Sequence, residues 1–279
     1  MTSELIIFGS GSSETSPCHG CFCDVCTEAI ISNHIRSNST YLYHSTTDAN
    51  IFLDYGTPVV SNYGLSHLKI AAVLLTHTHS DHVLGLYTLR WSRNKIKVYY
   101  PEGDIHQDFL PIVSKSFNLE IERLRPFESL KLAGATITPL PLNHSIPTLG
   151  FLVEDSHYPV ALLSDTKGIP SDTYDLLREK NNLIALVDAA ISPEHTNSYH
   201  NNILEAIEII QSLPIKLGIL THISHNNWTN ARIIEYLKSQ GLSNISLAFD
   251  NMVIFLDNEV ITEIKENPLA VLQKLSLIK

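Results

Sequence analysis

No stretch of this chain is apolar for long enough to cross a bilayer, and its amino terminus has no basic segment leading into an apolar one. A membrane partner is therefore not expected, and the protein is expected to be cytoplasmic. The chain also lacks any long block of lysine or arginine: 19 Lys and Arg face 29 Asp and Glu, a formal net charge of −10. That balance argues against a surface built to grip a polyanion, so nucleic acid is not the expected partner. A small anionic substrate stays compatible, because bound dications outweigh distant surface charge. The densest basic stretch, 90–97, reads as a solvated helix end. No low-complexity tract, solenoid-length repeat or Pro/Gly/Ser linker interrupts the 279 residues, and 44% hydrophobic content can fill a sizeable core. We read one domain over 1–264 and a short tail over 265–279. Outside 18–26 there is no cysteine, which leaves no disulfide framework and points the clustered thiols toward a metal.

What is present is an alternation of strands and helices, placed by the apolar and β-branched residues. Strands are expected at 5–8, 40–44, 51–54 and 70–75, with a helix opened by Pro58 and reaching about residue 67. A helix at 83–91, a strand at 97–100 and a helix at 105–116 follow. The middle is strand-rich, at 119–124, 129–132, 135–140, 149–154 and 159–163. Helices at 171–180, 202–211 and 230–239 then alternate with strands at 183–188 and 216–220, before strands near 245–249, 252–256 and 260–264. A last helix is expected from Pro268. Two strand-rich halves with helices outside predict an α/β fold (α+β in its segregation), a four-layer αββα sandwich.

The strand at 70–75 runs through Thr76 into His77-Thr78-His79-Ser80-Asp81-His82, four strong metal ligands in six residues. In extended chain alternate side chains share a face, so His77 and His79 can point at one ion, while Asp81 and His82 follow where a helix begins and can face a second. Further candidates also follow apolar strands: His144 in Pro-Leu-Asn-His, Asp165 after Val-Ala-Leu-Leu-Ser, and His222 after Leu-Gly-Ile-Leu-Thr. Loops at strand carboxyl ends converge on one crevice, and a carboxylate such as Asp165 can give one oxygen to each of two metals.

These phrases, together with Leu89-Arg-Trp, Leu140-Pro-Leu-Asn-His-Ser, Leu163-Ser-Asp-Thr-Lys-Gly-Ile-Pro and Ile219-Leu-Thr-His-Ile-Ser-His, resemble the metallo-β-lactamase superfamily. More narrowly they resemble its PhnP group, the cyclic-phosphate phosphodiesterases of bacterial phosphonate breakdown. The resemblance implies the metallo-β-lactamase fold, with one metal on His77, His79 and His144, the other on Asp81, His82 and His222, and Asp165 bridging. It also implies that Asp54, closing the strand Ile-Phe-Leu-Asp, orients the histidine loop by hydrogen bonds.

The segment from Cys18 to Cys26 holds four thiols and the imidazole of His19, enough for a closed tetrahedral zinc site, and spacing alone does not choose among them. The resemblance chooses Cys21, Cys23 and Cys26 with His225, a structural zinc in a loop inserted at 18–26. Cys18 is left as the rival fourth ligand or as a free thiol. For the active site it implies two divalent ions, and histidine and carboxylate ligands suit zinc, manganese, nickel or iron. Direct hydrolysis by a hydroxide held between the ions is expected, with Asp81 and Asp165 in the centre and His200 as general acid or phosphate contact. His195 is the competitor for that last role.

The substrate implied is a small phosphorylated sugar, 5-phosphoribosyl 1,2-cyclic phosphate opened to ribose 1,5-bisphosphate, and the protein is expected to be a homodimer. Three rival readings share part of this pattern: a transfer-RNA 3′-processing nuclease, a lactonase or thioesterase, and a non-enzymatic metal-stabilised scaffold.

Overall fold

Glu4–Gly9 shows why the chain forms layers. All six residues are buried, and their side chains divide by parity: Leu5 and Ile7 join one apolar cluster, Ile6 and Phe8 another. A strand with no wet face has to lie inside a sandwich. The division recurs at Leu183–Asp188, where Ile184 and Leu186 join the first cluster and Leu183, Ala185 and Val187 a third.

The computed structural model describes residues 3–256 apart from 48, 104, 108, 115 and 117. In chain order the elements are β1 (Glu4–Gly9), α1 (Asp24–Ser32), β2 (Thr40–His44), β3 (Asn50–Tyr55), α2 (Val59–Asn62), β4 (Ile70–Leu74), α3 (Ser80–Val83), α4 (Leu86–Leu89), β5 (Ile96–Pro101), α5 (Phe109–Val113) and β6 (Leu119–Leu124). The second half contains β7 (Leu130–Leu132), β8 (Ala135–Leu142), β9 (Thr148–Glu154), β10 (Val160–Leu163), α6 (Ser171–Arg178), β11 (Leu183–Asp188), α7 (Ile203–Ser212), β12 (Ile215–Thr221), α8 (Asn230–Ser239), β13 (Ile245–Leu247) and β14 (Met252–Phe255). They build two mixed seven-stranded sheets, ordered β14-β1-β2-β3-β4-β5-β6 and β13-β12-β11-β10-β9-β8-β7. β3 to β6 run parallel in the first sheet and β10 to β13 in the second. The first cluster draws side chains from both sheets, and the other two lie between each sheet and its own helices, which gives the expected αββα order.

Several helices are shorter than their periodicity suggests. The helix expected at 58–67 is one turn, α2, ended before Gly64, which takes φ +67°. The one expected at 83–91 is two turns, α3 and α4, separated at Gly85, where a Cβ would lie 2.5 Å from the Tyr55 carbonyl oxygen. Close packing on β3 overrides local helix preference there. Of the helix expected at 105–116, the described residues include α5. Conversely, the cysteine segment is not loop throughout: Cys23 caps α1, its Sγ accepting from the Cys26 N–H at 3.5 Å, and Cys26 lies inside that helix. The strand at 260–264, the helix from Pro268 and the tail at 265–279 lie outside the described residues. Among the described residues no helix is long and apolar enough to cross a membrane.

A buried guanidinium joins three of these parts. Arg36 donates to Ser10 Oγ (2.8 Å), the Ala248 carbonyl (2.6 Å) and Asn230 Oδ1 (2.9 Å), and lies over the Phe249 ring. Burial pushes it down to about 10. The carboxylate of Glu28 on α1 meanwhile accepts from the first N–H groups of α8, those of Asn230 and Ala231, at 2.6 and 2.9 Å. An acidic group there answers both the unpaired N–H groups and the helix dipole. α1 is thereby fastened to the helix that follows the His222 loop.

Gly56 tests how tightly the site end is packed. A Cβ on it would lie 1.8 Å from the Asp81 carbonyl oxygen. Gly56→Ala should lower stability by roughly 1–3 kcal/mol and displace Asp81. Thermal unfolding together with metal titration checks this; an unchanged midpoint and unchanged metal affinity would contradict it.

Candidate metal centre

The loops carrying the candidate residues leave the two sheets at one end, in the second sheet from the alternate strands β8, β10 and β12. His77 follows β4, His144 follows β8, Asp165 follows β10, and His222 follows β12, while Asp54 is the penultimate residue of β3. Asp54, Asp165 and His222 all take left-handed backbone, each with φ near +59°. Such positions cost about 1–3 kcal/mol each and cluster at functional sites.

Two sets of side chains come together. The ligand atoms of His77, His79 and His144 lie within 4.8 Å of one another, and so do those of Asp81, His82, Asp165 and His222. Asp165 stands between the sets. Its Oδ2 lies 3.7 Å from His77 Nε2 and 3.8 Å from His144 Nε2, while its Oδ1 lies 3.2 Å from His82 Nε2 and 3.3 Å from His222 Nδ1. Behind them, buried Asp54 accepts from His82 Nδ1 (2.7 Å) and from the Thr76 N–H (2.7 Å) and hydroxyl. That bond commits His82 Nδ1 and leaves Nε2 to face the cluster.

The electrostatics fit a divalent cation. Burial, reinforced by the neighbouring His82, pushes His77 well below its ordinary value, and burial pushes His79 down to about 4. Burial would raise Asp165, but His222, His82 and His77 hold it well below the usual carboxylate range. Burial would also lower His82, yet Asp165, Asp54 and Asp81 hold it well above its ordinary value. Asp54 thus takes His82 Nδ1, while Asp165 Oδ1 and Asp81 Oδ2 stand 3.2 and 3.3 Å from Nε2, a buried atom that has no well-formed hydrogen bond among the described residues. Imidazoles held down, as at His77 and His79, and carboxylates converging with them are the donor chemistry of a divalent ion.

His200 lies at the edge of this cluster, its ring 5.1 Å from that of His144 and stacked 5.2 Å from that of His222. Its Nδ1 donates to Asp188 Oδ2 at 2.8 Å; burial lowers it, but Asp188 dominates and raises it to about 9. Asp188 is fully buried and also accepts from the Thr166 and Ala190 N–H groups. His195 is exposed and bonded to Ser192 Oγ, off the cavity. Asp188 was not among the candidates from sequence, although it ends β11 as Asp165 follows β10, the same signal. His106, with its ring 5.0 Å from that of His79, carried no such signal because no strand leads directly into it. The cluster floors a cavity of about 380 Å³. A larger apolar groove of about 510 Å³, between α8 and β13, contains none of these side chains.

The cysteine segment approaches from the other side of the His222 loop. Ligand atoms of Cys21, Cys23, Cys26 and His225 lie within 4.8 Å of one another, with His225 Nδ1 3.3 Å from Cys21 Sγ and 3.9 Å from Cys23 Sγ. Cys18 stands outside this set and offers its backbone N–H to Cys26 Sγ at 3.3 Å. A bond from the Cys23 backbone and one from His225 hold the Cys21 thiol down at about 7, while burial pushes Cys26 up to about 12. Between the two centres Ile223 is fixed by its N–H to the Ser10 carbonyl and by its own carbonyl, which accepts from Ser12.

The sequence profile of the beta-lactamase superfamily domain matches residues 58–223. A Porphyromonas gingivalis protein named octanoyltransferase is 27% identical over 277 residues, 92% of this chain but 52% of that protein, so the chain spans about half the length of this relative. The probable metallo-hydrolase YhfI of Bacillus subtilis is 27% identical over 207 residues, 68% of this chain and 81% of that one. The crystal structure of a diphosphatase from the PhnP family superposes with a TM-score of 0.75 at 27% identity, covering 91% of this chain and 97% of the other.

Two outcomes follow from the geometry. Asp54→Ala should weaken metal binding at the histidine cluster by about 10–100-fold, read by competition with a chelator; unaltered affinity would remove Asp54 from the centre. For the thiols, His225→Ala should lose zinc while Cys18→Ser keeps it, by elemental analysis, and the reverse pattern would make Cys18 the fourth ligand.

Proposed function

We propose, for a chain that belongs to the metallo-β-lactamase superfamily, a family of metallo-hydrolases, that its activity is metal-dependent hydrolysis of a small phosphodiester. What supports this is the division of Asp165, one oxygen toward His77 and His144 and the other toward His82 and His222. In this reading His77, His79 and His144 hold one ion, Asp81, His82 and His222 a second, and Asp165 serves both. Zinc, manganese, nickel and iron all suit such donors. When bound, the ions lower the pKa of water toward neutrality and offset charge on the attacking and leaving oxygens. Cys21, Cys23, Cys26 and His225 hold a zinc that is structural, since four protein ligands leave no open position.

The chain's own groups supply the rest. Asp54 keeps His82 turned inward through Nδ1. Asp188 accepts from His200 Nδ1 and favours the doubly protonated ring, its pKa raised to about 9, so that Nε2 also carries a proton; an imidazole nitrogen of His200 lies within 4.8 Å of the ligand atoms of His144 and Asp165. That proton goes to the departing alkoxide, the step a general acid performs. The reading extends to cyclic phosphates of ribose as a class, of which the 5-phosphorylated compound implied by the sequence resemblance is one member.

The walls of the cavity favour a diester over the rival substrates. An octanoyl or other acyl chain needs apolar walls, and among the described lining residues the aliphatic side chains are Ala190 and Ile191. A transfer-RNA substrate needs a basic surface, and this chain carries a net charge of −10.

Protein loaded with zinc or manganese should hydrolyse bis(p-nitrophenyl) phosphate faster than any member of a lactone and thioester panel, and lose that activity to a chelator. Activity confined to the panel would refute the proposal. His200→Ala should lower kcat by about 10²–10⁴ with metal content unchanged; normal turnover would remove His200 from the mechanism.

A further inference from the structure

One wall of the cavity above the histidines is formed by the loop that follows β1. Ser12, Ser13 and Glu14 line it there, and several bonds fix their backbone. The Ser12 N–H donates to the Ile223 carbonyl at 3.3 Å, Asn38 Nδ2 donates to the Ser12 carbonyl at 3.0 Å, and the Thr15 N–H donates to the same carbonyl at 3.1 Å. Gly11 lies so close to Arg36 that a Cβ on it would be 2.9 Å from the arginine's own. On this fixed loop Ser12 Oγ donates to Glu14 Oε2 at 2.7 Å, which orients the carboxylate.

Beside the histidines and the short aliphatic side chains of Ala190 and Ile191, the wall carries amides and hydroxyls, among them Asn197, Tyr199, Ser224 and Asn226. Among the described residues lining the cavity there is no lysine or arginine, and Glu14 is the one carboxylate not grouped with the histidines. A carboxylate beside uncharged polar groups suits sugar hydroxyls, which donate charge-assisted hydrogen bonds to it. It does not suit a phosphate monoester, which carries close to two negative charges at neutral pH and is ordinarily met by arginine or lysine.

From this wall we infer that Glu14 is a specificity-determining residue, selecting a phosphodiester whose remaining part is a neutral, hydroxyl-bearing group and rejecting one that carries a second phosphate. The inference rests on the phosphodiesterase reading and narrows it. The 5-phosphate implied by the sequence resemblance would meet Glu14 with no lysine or arginine among the described lining residues to offset it.

A matched pair tests this: a nucleoside 2′,3′-cyclic phosphate with a free 5′-hydroxyl, and the same compound with a 5′-phosphate. The metal-loaded protein should prefer the 5′-hydroxyl compound by about tenfold or more in kcat/KM, as like charges brought together in a site require. Glu14→Gln should narrow that ratio, Glu14→Lys should invert it, and Glu14→Asp should preserve its direction. A loss of fold would lower both rates together and leave the ratio where it was. Preference for the 5′-phosphate by the unaltered protein, or one ratio across all four proteins, overturns the role of Glu14. Calorimetric titration with a nucleoside 3′-monophosphate and with the 3′,5′-bisphosphate reads the same selection without turnover. A protein that cleaves no diester would refute the phosphodiesterase reading alone. Equal or tighter binding of the bisphosphate, or no binding of the monophosphate, would refute the inference itself.

Discussion

The buried carboxylate of Asp165 demands positive charge from both sides, and the arrangement around it answers that demand. Removing an ionised carboxylate from water is costly unless charge and hydrogen bonds surround it. Here one oxygen faces His77 and His144 and the other His82 and His222. Asp81 and Asp54 add to the negative charge around His82 without relieving it. Among the protein's own groups, these carboxylates raise the affinity of His82 for a proton. A divalent ion meets it better, since it brings two charges and accepts every lone pair that converges there. Folding and ion binding are therefore linked at this point, because a site assembled from five separate strand ends exists only in the native chain.

Much of that assembly was legible in sequence because the signal was local. An apolar strand followed at once by a ligand is visible at Thr76-His77, Ser164-Asp165 and Thr221-His222, and the strand ends do converge in the parallel parts of the two sheets. Asp188 obeyed the same rule and was passed over, since one aspartate after a strand is an ordinary turn residue until its partner His200 is located 12 positions on. The short helices failed for a different reason. Periodicity from Val83 to Trp91 is continuous in sequence, but Gly85 has to approach the Tyr55 backbone of β3, and no local pattern records that approach. The reverse held at Cys23, where a residue read as a ligand also caps a helix.

The two clusters of ligands are close in sequence at one place, the loop from His222 to His225. Ile223 between them is held by the Ser10 and Ser12 backbone, and Ser224 by that of Ala190. With its middle fixed, the loop presents His222 to the histidine cluster and His225 to the thiols. Glu28 reinforces this from α1, by capping the helix that follows. The cysteine segment thus restrains the geometry of a centre to which it contributes no ligand.

Asp54, Asp165 and His222 share a left-handed backbone. Glycine adopts that conformation most readily, and asparagine, aspartate and histidine are enriched there among the other residues. A residue at such a place must tolerate the torsion and also present a donor or acceptor, so two independent filters act on one codon. Glycine passes the first and fails the second; glutamate and cysteine do the opposite. The alphabet open to these positions shrinks to about three letters. A library that randomised the rim of the cavity would find many answers, whereas one that randomised these three strand ends would return almost the sequence it started from.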